Sequence, residues 1–445
     1  MLTNFSDSIQ SALTLTPDCK KVIIAYSGGV DSHVLMHVCS GLQQVRSSLT
    51  FEAVYIDHGL HKDSDKWRIH CERVANKLSI DFNFIKVDAR DVNGEGPEQA
   101  ARHARYGAFK HIVGEHSVLF TAQHQDDQAE TVLLQLFRGC GIDGLAAMPL
   151  VDAFSRGHIV RPFLDIDRVA IQAYAALHEL EWVEDPSNAE LNYSRNYLRQ
   201  VVIPNIKQRW PAFSKTISRT ARHCAEASDL LSSQLSEYID EQRVDILDLN
   251  NFLDLDRSKK RAIYRYWLRC NGVKMPSSNI IQALEKNAVE AAIDKMPVLR
   301  WAGHEIRRFE NSLYLLDGLP NKPEGYLACW DEATCTLPVG LGSLSLNPTN
   351  DGSIAKSLWL SGEITVKYRD GGETIKIAGR QGTKALKKLF NERRVPPWVR
   401  ERVPLIYING RLAAVGEYWI EAAFLAKDNE AAYQIKWQHP EFRID

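Results

Sequence analysis

The chain is 445 residues long and carries 54 Lys plus Arg against 56 Asp plus Glu, a formal charge of -2. At roughly 150 residues per domain the length predicts two or three domains, and 44% hydrophobic with 25% charged residues excludes global disorder and collagen-like repetition. Because the total charge is near zero, any surface for nucleic acid has to be a local basic patch.

The segment from Met1 to Asp7 lacks the basic start and apolar stretch of a signal peptide. No run of about 18 apolar residues occurs that could span a bilayer. Eight cysteines (Cys19, Cys39, Cys71, Cys140, Cys224, Cys270, Cys329, Cys335) are scattered without a CxxC pair, which argues against a zinc or iron–sulfur site. The expectation is a soluble cytoplasmic protein with reduced thiols.

Four β-branched runs, Val22 to Tyr26, Phe51 to Ile56, Phe82 to Val87 and Val118 to Ala122, open the chain. Their spacing of roughly thirty residues is that of crossover units in a parallel sheet. Amphipathic stretches from Glu98 to Val113 and from Ala129 to Phe137 predict helices that cover the sheet faces. The predicted class is α/β, a doubly wound, Rossmann-like parallel sheet.

The first run leads directly into Ser27, Gly28, Gly29, Val30, Asp31 and Ser32, and then into a helical pattern from His33 to Val38. A strand, a glycine pair and a helix N-terminus gather backbone N–H groups around one point, where the helix dipole also favours an anion. Glycine admits close backbone approach and the Ser27 and Ser32 hydroxyls add donors, so the loop reads as a phosphate cradle. A Gly-Gly turn before a capped helix is the plainer alternative, but the whole hexapeptide in this context is much rarer. No GxxxxGK[ST] segment occurs, so the lysine that follows a migrating γ-phosphoryl group is missing and the loop suits pyrophosphate release.

The fourth run ends in His124, Gln125, Asp126, Asp127, Gln128, Ala129, Glu130 and Thr131. Asp127 and Glu130 are three apart, share a helix face and together suit a cation. An acidic cap ahead of a core helix is the bland account; against it, open α/β sheets bind ligands at this carboxyl end of the strands.

From about Phe213 to Lys295 the pattern turns helical, and residues 318–350 are dense in Gly and Pro. The predicted division is a nucleotide domain over 1–212, a mainly helical domain over 213–317, a linker or edge strands over 318–356 and a small α+β domain over 357–445. Between Ser361 and Arg402, 11 basic residues stand against 5 acidic ones. Lys384, Lys387 and Lys388 fall there at helical spacing, with Leu386, Leu389 and Phe390 inward; a plain solvated face and a contact to a phosphate backbone both suit that pattern.

Ser27 to Ser32 matches the SGGxDS signature, and the N-terminal domain resembles the PP-loop ATP pyrophosphatases. The resemblance implies cleavage of ATP between its α and β phosphates, adenylation of a carbonyl-type oxygen, and displacement of AMP by a nucleophile. Asp31 then helps to hold Mg²⁺ or the substrate amine. The block from His124 to Thr131 further resembles the tRNA(Ile)-lysidine synthase family. Carried over, Asp127 and Glu130 hold the α-amino end of free L-lysine, while His124 and Asp126 lie beside nucleotide and metal. Ile56 to Leu60, with His58, forms part of the nucleotide pocket. Glu98, Ala101, Arg102, Arg105 and Tyr106 resemble that family's ExxARxxRY helix, for which a binding role and a solvated basic face remain equally open. Arg195 and Arg199 resemble its RNxxR element and imply RNA contact, with a salt-bridged surface helix as the alternative. The stretch holding Lys384, Lys387, Lys388 and Pro396, Pro397, Trp398 is similar to the family's tRNA-engaging C-terminal domain.

The activity implied is ligation of L-lysine to C2 of anticodon cytidine-34 in tRNA(Ile) with a CAU anticodon. It passes through an adenylated tRNA, releases AMP and diphosphate, and changes codon reading from AUG to AUA. Asp31 is the candidate to take the proton of the amine. A PP-loop thiolation enzyme and a non-catalytic, ATP-dependent tRNA-binding factor are the rival readings; unpaired cysteines weigh against the first. The oligomeric state, a homodimer included, stays open.

Overall fold

A computed structural model describes residues 5–45, 49–57, 59, 63–89, 97–250, 252, 254–289, 297–321, 323–349 and 353–439. They fall into two compact units, Met1–Gln234 and Leu235–Asp445. Among the described residues no helix is long and apolar enough to cross a membrane.

The first unit alternates α1 (Phe5–Thr14), β1 (Lys21–Ala25), α2 (Val30–Gln43), β2 (Thr50–Asp57), α3 (Ser64–Lys77), β3 (Asp81–Lys86), α4 (Pro97–Ile112), β4 (Ser117–Phe120) and α5 (Gln125–Phe137). A hairpin of β5 (Val151–Phe154) and β6 (Gly157–Val160) completes a sheet ordered β3-β2-β1-β4-β6-β5. The four predicted strands are all present. Every pairing is parallel except that of the edge strand β5.

Period-2 alternation explains how β1 is held. Val22 and Ile24 point into the core that includes α1 and α2, while Ile23 points into a second core with Val54, Phe109 and Leu119. All three are fully buried, each contributing about 1.5–3 kcal/mol of apolar burial. Strand β1 pairs with β2 on one side and β4 on the other. The crossovers therefore leave in opposite directions, and a crevice opens beyond the carboxyl ends of β1 and β4, where doubly wound sheets bind ligands. The unit closes with the long helix Phe213–Leu235.

In the second unit, helix Arg257–Cys270 packs through Ile263, Tyr264 and Trp267 against four short antiparallel strands, Ile246–Asp248, Ser312–Asp317, His304–Phe309 and Val298–Trp301 in sheet order. The helical reading of this region stands, and the small sheet adds to it. Its first strand, at three residues, is too short to carry a periodic signal. The remainder is an α+β body of a five-stranded and a four-stranded antiparallel sheet around one core. Strand Ser343–Thr349, from the Gly- and Pro-rich stretch, pairs along its length with Ala432–Gln438.

Candidate active site

Leaving β1, the Tyr26 N–H is held by the Val54 carbonyl at 3.0 Å, and the chain turns through Gly28 at φ +81°. Gly28 is required there twice over, because a Cβ would also lie 2.9 Å from Cys71 Sγ. Gly29 then caps α2 without any side-chain bond, so the first-turn N–H groups of the helix stay available to a ligand. Ser32 Oγ donates to the Gly29 carbonyl at 3.0 Å and accepts from the Ser27 N–H at 3.2 Å. Its proton is spent bracing the loop. Ser27 Oγ lies 3.1 Å from Ser32 Oγ and accepts from Gly29 N–H at 3.4 Å, and both serines line the cavity over the loop.

Asp31 and Val30 open α2, and Asp31 reaches across to the end of β4. There His124, 2% exposed, caps α5 in a reciprocal box: its Nδ1 accepts from Asp127 N–H, and its own N–H donates to Asp127 Oδ2 at 3.1 Å. With Nδ1 accepting, the ring hydrogen belongs on Nε2, which lies 3.4 Å from Asp127 Oδ2 and 3.7 Å from Asp31 Oδ2. Asp31 Oδ1 is buried and has no hydrogen-bond partner among the described residues. Burial raises the Asp31 carboxyl above its usual range, with His124 opposing and Asp127 reinforcing the shift.

Asp127 and Glu130 do share a helix face, but guanidinium groups occupy it. Arg199 Nε donates to Glu130 Oε1 at 2.6 Å, and its Nη2 bridges Asp127 Oδ1 at 2.8 Å and Glu130 Oε2 at 2.9 Å. Arg195 adds a bond to Glu130 Oε2 at 3.0 Å and one to Thr131 Oγ1. Burial alone lowers Arg199; the hydrogen bond and charge of Glu130, with Asp127, carry it above its ordinary value. Arg195 and Arg199 are therefore neither a free RNA-facing pair nor a surface salt-bridge ladder. They tie the segment Ser194–Val202 to α5.

Asp126 does not join Asp31. Lys207 Nζ holds both its oxygens at 2.8 and 2.9 Å, and although burial opposes ionisation, that contact lowers the Asp126 carboxyl. Consecutive helical side chains diverge by about 100°, so Asp126 and Asp127 face different sides of α5. His58 lies outside the described residues.

A cavity of about 390 Å³ opens over the loop, lined by Ser27, Gly29, Asp31, Asp127, Arg102 and Tyr106 among others. Arg105, Arg195 and Arg199 also reach it, whereas His124, Asp126 and Glu130 do not. Trp67 from α3 and Gln123 after β4 also line it and carried no signal in the sequence; so does Asp185, whose Oδ1 accepts from Ser187 N–H at 2.9 Å and whose segment, Glu184 to Asn188, is among those that resemble the family. No group of three or more metal-ligating residues exists among the described residues. Mg²⁺ beside a nucleotide is commonly held by one or two carboxylates plus phosphates, and the unpartnered Asp31 Oδ1 fits that demand.

In the second unit, Leu386, Leu389 and Phe390 are fully buried, and Lys387 and Lys388 are exposed on helix Leu386–Glu392. Lys384 departs from the expected helix. It belongs to a two-residue strand paired with Thr374–Ile375 and lies 3.7 Å from Glu392.

A parallel-sheet domain with an SGGxDS loop at its switch point and no phosphoryl-transfer lysine defines an ATP-binding domain of the PP-loop class. Family models agree: a PP-loop domain matches residues 1–206, a TilS substrate binding domain 247–314, and a TilS substrate C-terminal domain 364–437. The tRNA(Ile)-lysidine synthase of Coxiella burnetii is 40% identical over 94% of this chain and 93% of its own length, and that of Methylococcus capsulatus 36% over 93% and 95%. A solved U34-tRNA thiolase from Methanococcus maripaludis is 14% identical, over 50% of this chain and 78% of that one, with a TM-score of 0.43. The chain belongs to the tRNA(Ile)-lysidine synthase family.

Proposed function

We propose that this chain is an ATP-dependent ligase that joins free L-lysine to C2 of the CAU anticodon cytidine-34 of tRNA(Ile). In the first half, the cytidine C2 oxygen attacks the α-phosphorus of ATP and diphosphate leaves. The open N–H groups of the Ser27–Ser32 loop receive the phosphates, and Asp31 would hold Mg²⁺, which neutralises charge building on the leaving group. In the second half the lysine ε-amine attacks C2, the C2 oxygen departs on AMP, and one amine proton is released.

The observation that carries this reading is Asp31. It sits in the loop's first helical turn, lines the same cavity as Asp127, and has one buried oxygen with no hydrogen-bond partner among the described residues. A carboxyl raised by burial is also a better proton acceptor than an ordinary one, which suits it to the amine after diphosphate has gone. Asp127 is the carboxylate that faces the cavity for an ammonium group; Glu130 serves it from behind by fixing Arg199.

The test is turnover of purified protein with ATP, Mg²⁺, labelled lysine and unmodified tRNA(Ile). Expected are AMP, diphosphate and labelled RNA in equal amounts, with sustained turnover needing all three substrates. ADP as the main product, or AMP without labelled RNA, would overturn the reading.

A further inference from the structure

The second unit has an open cavity of about 470 Å³ between strands Val298–Trp301 and His304–Phe309, the turn after Asp317, and Arg402. Arg402 is 7% exposed. Its Nε donates to the Pro320 carbonyl at 2.8 Å and its Nη1 to the Trp398 carbonyl at 2.6 Å. Carbonyls fix its direction, Glu401 and Glu305 offset its charge only in part, and burial pulls this guanidinium below its ordinary value. Among the described residues Glu305 is the one carboxylate in the lining, and it is already shared by Arg300 Nε at 3.0 Å and Arg307 Nε at 2.8 Å. Arg307 is further fixed over the Trp398 ring, 5.5 Å from its centroid. The buried Arg402, the half-buried Arg307 and the largely exposed Arg300 thus stand around one carboxylate of the lining. A buried guanidinium whose charge is only partly offset is costly, and the fork of arginine matches tetrahedral oxyanions.

We infer that this cavity is a phosphate-binding site in which Arg402 and Arg307 are the donors. The phosphate is either a backbone phosphodiester of bound RNA or a free phosphate, since both offer the same oxyanion. The RNA source rests on the proposed function; the site itself does not.

The experiment uses the full chain and three variants: Arg402→Met, Arg307→Met, and Asn321→Asp, which brings negative charge to the lining without touching either brace. Inorganic phosphate is titrated calorimetrically at constant ionic strength, with circular dichroism as the folding control. Phosphate at the Ser27–Ser32 loop is common to all four proteins, so the difference between them reads the cavity. Each folded variant is expected to lose at least tenfold in phosphate affinity at one site. If Arg402→Met fails to fold, the other two decide. A salt series of tRNA binding then separates the sources: loss of one phosphate contact flattens the log–log slope by about 0.7–0.9, whereas an unchanged slope assigns the site to free phosphate. Equal phosphate binding by wild type and folded variants overturns the site. Absence of any tRNA binding would overturn the proposed function and leave the phosphate comparison to judge the cavity alone.

Discussion

Arg199 Nε lies 2.6 Å from Glu130 Oε1, so a carboxylate that is 1% exposed is already neutralised from a segment 69 residues further along the chain. Arg195 contacts the same carboxylate. Two guanidinium groups on one buried anion make Glu130 an anchor for the wall of the cavity, whereas Asp127, which caps α5 and shares Arg199, lines the cavity itself and is the carboxylate proposed to meet the amine.

Asp127→Asn is therefore expected to raise the KM for lysine by about ten- to a hundredfold, the equivalent of about 1.5–3 kcal/mol for a charge-assisted contact, with little change in the KM for ATP. Glu130→Ala strands two arginines and is expected to cost about 3 kcal/mol of folding stability. Steady-state kinetics and denaturant unfolding separate the two. A stable Glu130→Ala protein with a selectively raised lysine KM would reverse these roles.

Gly28→Ala asks the loop to hold an L-residue at φ +81° and to place a methyl group 2.9 Å from Cys71 Sγ. The backbone term alone costs about 1–2 kcal/mol. The expected result is a destabilised protein with weakened ATP binding. Adding Cys71→Ala should recover the steric part and leave the backbone part. Full recovery in the double variant would show that φ carries no penalty here.

What could be read from the sequence was local. The β-branched runs that became β1 to β4, and the loop from Ser27 to Ser32, are each specified within a few consecutive residues, and the loop follows directly from its strand. The separation of Asp126 from Asp127 is equally local but needs the phase of α5, which the presence of two adjacent aspartates conceals. The partners of Glu130 were not legible, because Arg195 and Arg199 reach it only after the intervening chain has folded back on α5. Lys384 was misread as helical for a related reason: its pairing with the Thr374–Ile375 strand is a tertiary event that overrides the i, i+3, i+4 pattern running through it.

Asp31→Asn should abolish turnover and stabilise the fold at neutral pH. Burial raises the folded-state pKa of Asp31, so the folded chain holds that proton more tightly than the unfolded chain does. The stabilisation is complete below the unfolded value of about 3.9 and is lost as pH rises through the higher folded value. At pH 7 wild type carries a buried charge that the amide lacks. The variant's advantage in Tm should be full at pH 7–8 and shrink as the pH falls towards 4. A variant less stable than wild type at pH 7 would show that the charge is compensated in the folded state.

Reversal of Lys387 and Lys388 to Glu is the cleanest test of tRNA contact by the basic C-terminal region. Both are exposed on a helix whose inward side chains, Leu386, Leu389 and Phe390, are buried, so the change should leave the core intact. Lys384 is left alone because it lies near Glu392, which Arg380 also binds at 2.8 Å, and its reversal would disturb a local charge network. Each phosphate contact releases counterions, so losing up to two should flatten log affinity against log salt by about 0.7–0.9 per contact. Discrimination between cognate and non-cognate anticodons at equal saturation should persist, since lysines on a phosphate backbone do not read base edges. ATP binding, a property of the other unit, should not change. Affinity measured across a salt series, with circular dichroism as the control for folding, decides the matter: a folded double variant with wild-type affinity and slope would make this helix face ordinary solvated surface.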